Sequence, residues 1–361
     1  MTVLSAPSVM AGEIAEIPQR TADLLATADQ IEAVAGCIRR RAPRWAVFAG
    51  RGTSDHAATY GRYLAETQLG LPAGLAAPSV SSLYGRRVDL RDGLVVAVSQ
   101  SGQSPDIVAV VEQARHAGAV TVALVNDAFS PLAGAADLVI DCRAGVERSV
   151  AATKSYVNQL LALALLVESL ARQPGRFAWA SLPALLSEVL AAAAHWLGAS
   201  GAADELAERD RALVASRGHN LATALEVALK LRETSAMFAD GYSMADLLHG
   251  PVAAASPSTP AIVLRPDGAV GEALDDGIER LVRAGVRPWL IGGAGLHAGL
   301  LAAGRWRGSE RWLALPTDAL PEWLTPLALV LPGQLLAESV AVRRGLDPDH
   351  PAGLSKVTLT R

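Results

Sequence analysis

Residues 94–104 read L-V-V-A-V-S-Q-S-G-Q-S. Leu94 to Val98 is a short apolar run rich in β-branched residues, which suits a strand buried on both faces of a parallel sheet. The run stops at Ser99-Gln100-Ser101-Gly102-Gln103-Ser104. Pro105-Asp106 then opens a helical pattern of Ile107, Val108, Val110, Val111 and Ala114, with Pro105 placed for the first turn. Three hydroxyls and two amides therefore fall where a strand ends and a helix begins. A helix N-terminus offers unpaired N–H groups and partial positive charge to an anion. Gly102 lets the backbone turn and approach a ligand, and the hydroxyls of Ser99, Ser101 and Ser104 can donate to phosphate oxygens. The alternative is a capped turn whose serines satisfy only backbone groups.

The flanking chain repeats the same punctuation. Residues 10–42 carry helical patterns through Met10, Ile14 and Ile17, and then through Leu24, Ile31, Val34 and Ile38. Trp45 to Ala49 is a strand ending at Gly50-Arg51-Gly52-Thr53-Ser54, followed by a helix through Ala57, Tyr60, Tyr63 and Leu64. An extended stretch near residues 73–80 precedes the central strand. Val120 to Val125 and Leu138 to Ile140 are further strands, separated by a turn at residues 126–131, and Glu147 to Leu170 reads as one long helix. Strands and helices alternating at this spacing mean a parallel α/β sheet.

The second half repeats the first. A-V-F-A-G-R-G at 46–52 matches A-L-V-A-S-R-G at 212–218, and Glu66-Thr67 matches Glu233-Thr234. V-A-V-S-Q-S-G at 96–102 falls against I-V-L-R-P-D-G at 262–268, and Ala117-Gly118 against Ala284-Gly285. All four pairings have an offset of 166 or 167 residues. The pattern predicts an internal duplication, with domains at 1–175 and 176–361 joined by the Ala/Leu-rich segment near 160–205. Gln173-Pro174-Gly175 is the break inside that connector. The copies differ at the turn: the second has Arg265-Pro266-Asp267-Gly268, without hydroxyls and with a carboxylate that repels phosphate.

Length and composition set outer bounds. The 361 residues suffice for two full cores. Half are apolar, 19% are charged, and the net charge of −4 argues against a nucleic-acid partner. Cys37 and Cys142 are too few for a disulfide framework and fit a reducing cytoplasm. The first ten residues lack the pattern of a signal peptide, and Glu168 and Arg172 end the apolar run 160–167 short of a membrane span. The expectation is a cytoplasmic protein with no membrane partner. The seven histidines show no i,i+4 pair and no cysteine companions, so no metal is expected.

Glu226, Lys230 and Glu233 are spaced by four and three on a helical stretch, which puts them on one face. A surface ion-pair ladder would show the same spacing. The stretch is otherwise apolar, however, and it follows directly from Arg217-Gly218-His219-Asn220, where a site forms at the end of a parallel strand. A carboxylate beside a lysine suits proton transfer on a carbon next to a carbonyl. His249, in L-L-H-G-P at 247–251, could be a C-terminal cap or an acid/base titrating near neutrality. E-R-S-V-A-A-T-K-S at 147–155 could reach a ligand, or Ser149 could simply cap a helix. Lys356 stands at the junction of a turn and an alternating strand near the C-terminus. A solvated lysine is the ordinary case there, and a desolvated one could be a nucleophile toward a carbonyl.

Six motifs, taken together, resemble the sugar isomerase (SIS) superfamily. They are G-R-G-T-S at 50–54, S-Q-S-G-Q-S at 99–104, E-R-S-V-A-A-T-K-S at 147–155, A-L-E-V-A-L-K-L-R-E at 224–233, L-L-H-G-P at 247–251 and L-S-K-V-T at 354–358. More narrowly they resemble the isomerase half of glucosamine-6-phosphate synthase and the stand-alone amino-sugar-phosphate deaminases. The resemblance implies two tandem flavodoxin-like domains, a homodimer and no cofactor. It implies that Ser99, Gln100, Ser101 and Ser104 hold the phosphate of a phosphosugar, and that Thr53, Ser54 and Val150 line the sugar. By the same resemblance His249, from the partner subunit, opens the pyranose ring. Glu233 moves a proton between C1 and C2 with Lys230 beside it, and Lys356 corresponds to a Schiff-base lysine. Arg51, Ala152 and Asp246 depart from the synthase pattern, at positions that bear on substrate choice. The synthase has a glutaminase cysteine directly after the initiator Met. Thr2 stands here, so the expected direction is release: glucosamine 6-phosphate to fructose 6-phosphate and ammonia. A deglycase acting on a fructosamine 6-phosphate and a non-catalytic sugar-phosphate sensor are the alternative expectations.

Overall fold

The computed structural model describes residues 7–173, 175–302, 304 and 311–357. Among these residues the strands form two five-stranded, wholly parallel sheets. The first contains β1 (Trp45–Ala49), β2 (Ala73–Leu75), β3 (Gly93–Ser99), β4 (Val120–Val125) and β5 (Leu138–Asp141) in the order β2-β1-β3-β4-β5. The second contains β6 (Arg211–Ser216), β7 (Phe238–Ser243), β8 (Ala261–Arg265), β9 (Trp289–Gly293) and β10 (Trp312–Leu315). Its order is β7-β6-β8-β9-β10, the same topology one copy further along the chain. The repeat read from the sequence is therefore a repeat of fold, two tandem flavodoxin-like domains.

β3 occupies the centre of the first sheet and all seven of its residues are buried. Its side chains alternate between faces. Val95 and Ala97 pack with Ile107, Val110, Val111 and Ala114 of the helix Pro105–His116. Val96, in register with Phe48 and Val122, serves the other face. There the Phe48 ring lies against Gly61 of the helix Thr53–Leu69, so close that a Cβ on Gly61 would stand 2.6 Å from it. Each fully buried valine contributes about 1.5–3 kcal/mol, and this places a wholly buried strand directly under the Ser99–Ser104 turn. In the second sheet Ala215, Val263 and Leu290 pack on Leu274, Ile278 and Leu281 of the helix Ala269–Arg283.

The chain forms two compact units, neither of them continuous. One comprises residues 19–146, 154–183 and 357–361; the other comprises residues 1–18, 147–153 and 184–356. A single cut near residue 175 describes a linear division, whereas the contacts place the N-terminal helix Val9–Ala15 and the segment 147–153 with the second sheet.

Two local expectations are corrected. The helix expected from Glu147 begins at Lys154 and runs to Ala171. Residues 147–153 form an irregular loop in which the N–H groups of Arg148, Ser149 and Val150 bond to partners distant in sequence. The extended stretch near 73–80 shortens to β2, and Ser79–Ser82 is a helical turn. The strand expected after Lys356 falls largely on Thr358 and Leu359, and the Gln173-Pro174-Gly175 break includes Pro174; these three residues lie outside the described residues. The helix expected to be a core element, Lys154–Ala171, is buried from Lys154 to Glu168. Trp179–Ser200 and Glu322–Arg343 are long and apolar enough to cross a membrane by length and composition, and 78% of the second apolar window is buried inside the protein.

Candidate functional site

In the first sheet the chain leaves β1 toward β2 on one side and leaves β3 toward β4 on the other, so the order reverses between β1 and β3. Ligands of open parallel sheets bind outside the carboxyl ends of the strands at such a point. The two loops that flank it are Gly50–Ser54 and Ser99–Ser104. Both helices that follow begin without a side-chain cap: Gly52 precedes Thr53–Leu69, and Ser104 precedes Pro105–His116 with its hydroxyl outside any capping bond. That removes the simple explanation of Ser104 as a capping serine.

The turn itself is rigid. Gly102 has φ +64° and lies so close to Ser130 that a Cβ would stand 2.1 Å from its Oγ. Gly102 N donates to Ser99 Oγ at 2.9 Å, and Leu132 N donates to Gly102 O at 3.1 Å. Gln100 O accepts from Asn126 N at 3.2 Å, and Ser101 Oγ from Gln103 N at 3.3 Å. Ser54 is buried and receives Gln159 Nε2 at 3.1 Å. Thr53 is half-buried in the first turn of its helix. Arg51 spans the corner: its Nε and Nη2 donate to Asp106 Oδ2 at 2.8 and 2.6 Å. Burial pushes the Asp55 carboxyl up, and the charges of His56 and Arg51 oppose that rise.

The unit built on the second sheet holds Glu226, Lys230 and Glu233. On the helix Leu221–Ser235, Lys230 Nζ lies 3.3 Å from Glu226 Oε1 and 2.5 Å from Glu233 Oε2. The side chains of Lys230 and Glu226 are fully buried, and that of Glu233 is 23% exposed. A surface ladder is thereby excluded. Burial alone would push the Lys230 ammonium toward neutrality, but the two carboxylates together outweigh it and hold the group well above the usual lysine range. The result is a fixed cation bonded to one oxygen of a carboxylate that still reaches solvent. His249 caps the short helix Met244–Leu248 and is exposed. No hydrogen bond joins it to the triad.

Lys356 is not a solvated lysine. Its Nζ donates to Glu147 Oε2 at 2.9 Å and to Ser149 O at 2.7 Å. Glu147, whose side chain is fully buried, also accepts Thr153 N at 2.9 Å through Oε1. Glu13 accepts Arg148 N at 2.5 Å and Ser149 N at 3.3 Å, and Val150 N donates to Asp349 O at 3.0 Å. One loop therefore ties Val150 to Lys356. At the second switch point Arg265 is buried and paired with Asp275 at 2.8 Å. Burial and the nearby Asp318 push the Asp267 carboxyl up against the pull of Arg265. This corner is filled by its own charges.

The structure thus brings Thr53 and Ser54 to the same switch point as Ser99, Gln100, Ser101 and Ser104; it joins Lys230 to Glu233 and Lys356 to the Val150 loop. Sequence reasoning missed Glu13, Glu147 as the partner of Lys356, and Asp106 as the partner of Arg51. Only Glu147 carried a signal, as the first residue of the E-R-S-V-A-A-T-K-S motif. Among the described residues no group of three or more His, Cys, Asp or Glu side chains could hold a metal ion.

A duplicated doubly wound fold with one serine-lined corner and a buried lysine between two carboxylates defines a narrow class. Residues 41–169 and 205–291 match the SIS domain family, one segment in each copy, and the chain belongs to that family. It is 35% identical over 326 residues to the glutamine–fructose-6-phosphate aminotransferase (isomerizing) of Symbiobacterium thermophilum, covering 88% of this chain and 52% of that protein. The chain spans about half the length of the curated relatives it matches. A candidate phosphosugar isomerase from Silicibacter pomeroyi DSS-3 superposes with a TM-score of 0.81 at 36% identity, over 95% of this chain and 100% of that one. Glucosamine-6-phosphate deaminase from Thermotoga maritima shares the fold, with a TM-score of 0.77 at 20% identity over 98% of this chain and 100% of that one.

Proposed function

We propose that the protein is an SIS-type phosphosugar isomerase that acts on an amino-sugar phosphate, converting glucosamine 6-phosphate and water to fructose 6-phosphate and ammonia. The observation that carries this reading is the Glu226–Lys230–Glu233 triad: a buried ammonium fixes one oxygen of a partly exposed carboxylate. Such a carboxylate is held in one orientation, with a free oxygen to act as a base. In the proposed sequence His249, contributed across a homodimer as the family resemblance implies, opens the ring. Glu233 takes the proton from C2 and returns it to C1, leaving a C=N bond at C2 that water hydrolyses. Lys230 offsets the negative charge that accumulates as the proton moves. Ser99, Gln100, Ser101 and Ser104 hold the phosphate, with Thr53, Ser54 and Val150 along the sugar. Lys356 meets the carbonyl end, and the Glu147 contact supports a defined position for its amine.

The test follows fructose 6-phosphate and free ammonia together after addition of glucosamine 6-phosphate. Equal, steady release of both, abolished in Glu233→Gln, is expected. Cleavage of fructosamine 6-phosphates with no release from glucosamine 6-phosphate would replace this reading with a deglycase, and phosphosugar binding without turnover of either would replace it with a sensor.

A further inference from the structure

The anion corner contains a buried negative charge that phosphate binding does not call for. Asp106 is the second residue of the helix Pro105–His116, it is 1% exposed, and its Oδ1 accepts Ile107 N at 2.9 Å. A carboxylate in a first helical turn is favourable to the helix itself. It also sits at the N-terminus that would receive the phosphate, where two like charges oppose each other. Asp55, in the first turn of the other helix at the same switch point, adds a second carboxylate. Arg51 is the group that meets both. It bonds Asp106 through Nε and Nη2, its charge is felt by Asp55, and its side chain is 46% exposed against 0% for Asp106. Both bonds go to Oδ2, so Nη1 stays outside the pair.

We propose that Arg51 is the determinant of phosphate selectivity at the β1/β3 corner: clamped to the buried Asp106, it cancels the carboxylate charge that would repel a phosphate dianion and keeps Nη1 for the anion. Charged hydrogen bonds to phosphate are stronger and more directional than neutral ones. The serines then shape the site, while the Arg51–Asp106 pair sets its charge. This inference rests on the phosphate reading of the Ser99–Ser104 turn.

The experiment is a binding titration in a Glu233→Gln background, which prevents turnover, with glucosamine 6-phosphate and with unphosphorylated glucosamine as the two probes. The parent is expected to prefer the phosphorylated sugar. Adding Arg51→Ala is expected to weaken glucosamine 6-phosphate by about tenfold to a hundredfold, as an uncompensated charge at close range would, and to leave glucosamine unchanged. Adding Asp106→Asn to Arg51→Ala removes the uncompensated carboxylate and is expected to restore part of the lost affinity, an outcome that general damage to the corner would not give. An Arg51→Ala variant that still discriminates the two sugars as the parent does would overturn the role of Arg51. So would a double variant no tighter than Arg51→Ala. A parent that binds both sugars equally would overturn the phosphate reading along with it.

Discussion

Lys230 and Glu233 are neighbours on one helix, yet they answer to different demands. Lys230 is fully buried between two carboxylates, so Lys230→Met leaves Glu226 as a buried charge without its cation. The expected loss is about 3–5 kcal/mol of unfolding free energy in urea. Glu233→Gln keeps a hydrogen-bond acceptor at a partly exposed position and is expected to cost on the order of 1 kcal/mol, while removing the proposed base. A large activity loss with near-native stability in Glu233→Gln, beside a large stability loss in Lys230→Met, separates the two roles. The spacing of Glu226, Lys230 and Glu233 was legible because i,i+3 and i,i+4 neighbours share a helix face. Their burial was not, because the helix Pro326–Arg343 that packs on this one lies far along the chain. The close approach of Gly333 to Val227 is a contact no local pattern announces.

The loop 147–153 shows where element-scale reading stops. Its apolar residues merge smoothly with those of the helix Lys154–Ala171, and periodicity alone runs the two together. The chain stays irregular because its N–H groups find acceptors elsewhere: Glu13 for Arg148 and Ser149, Asp349 for Val150 and Glu147 for Thr153. Except for Glu147, these partners lie more than a hundred residues away in sequence. Glu13→Ala leaves two N–H groups without their acceptor, that of Ser149 buried, and is expected to cost about 1–3 kcal/mol. Hydrogen exchange across residues 147–153 is expected to rise beyond the global change. Unaltered protection there would show that Glu13 does not hold the loop. By contrast the central strands were legible to within a residue or two, since β3, β4 and β5 are short, apolar and closed by turn residues.

At the scale of the whole molecule, duplication gives two sheets of one topology and two different switch-point corners. The Ser99–Ser104 corner is lined with hydroxyls, and the second is filled by Arg265, Asp275, Asp267 and Asp318. Asp267 has its carboxyl held above the ordinary value in the fold, so between the unfolded and the folded value the native state binds more protons than the unfolded chain. Stability is therefore lost as pH rises through the folded value, and the ionised group is a burden near neutrality. Asp267→Asn is expected to raise the melting temperature near neutral pH, with the gain shrinking toward about pH 4 and turnover unchanged. A melting temperature that falls near neutrality would show that the carboxylate makes a stabilising contact instead.

The role proposed for Glu233 is to move a proton between two sugar carbons. It is tested most directly by incubating glucosamine 6-phosphate with the protein in D2O and locating deuterium by NMR. The predicted result is deuterium at C1 of the fructose 6-phosphate formed and at C2 of recovered substrate, with neither appearing for a Glu233→Gln protein that still binds the phosphosugar. Undiminished deuterium incorporation by Glu233→Gln, or product formed by the native chain with no label at C1 and no transfer of the C2 hydrogen to it, would contradict the account.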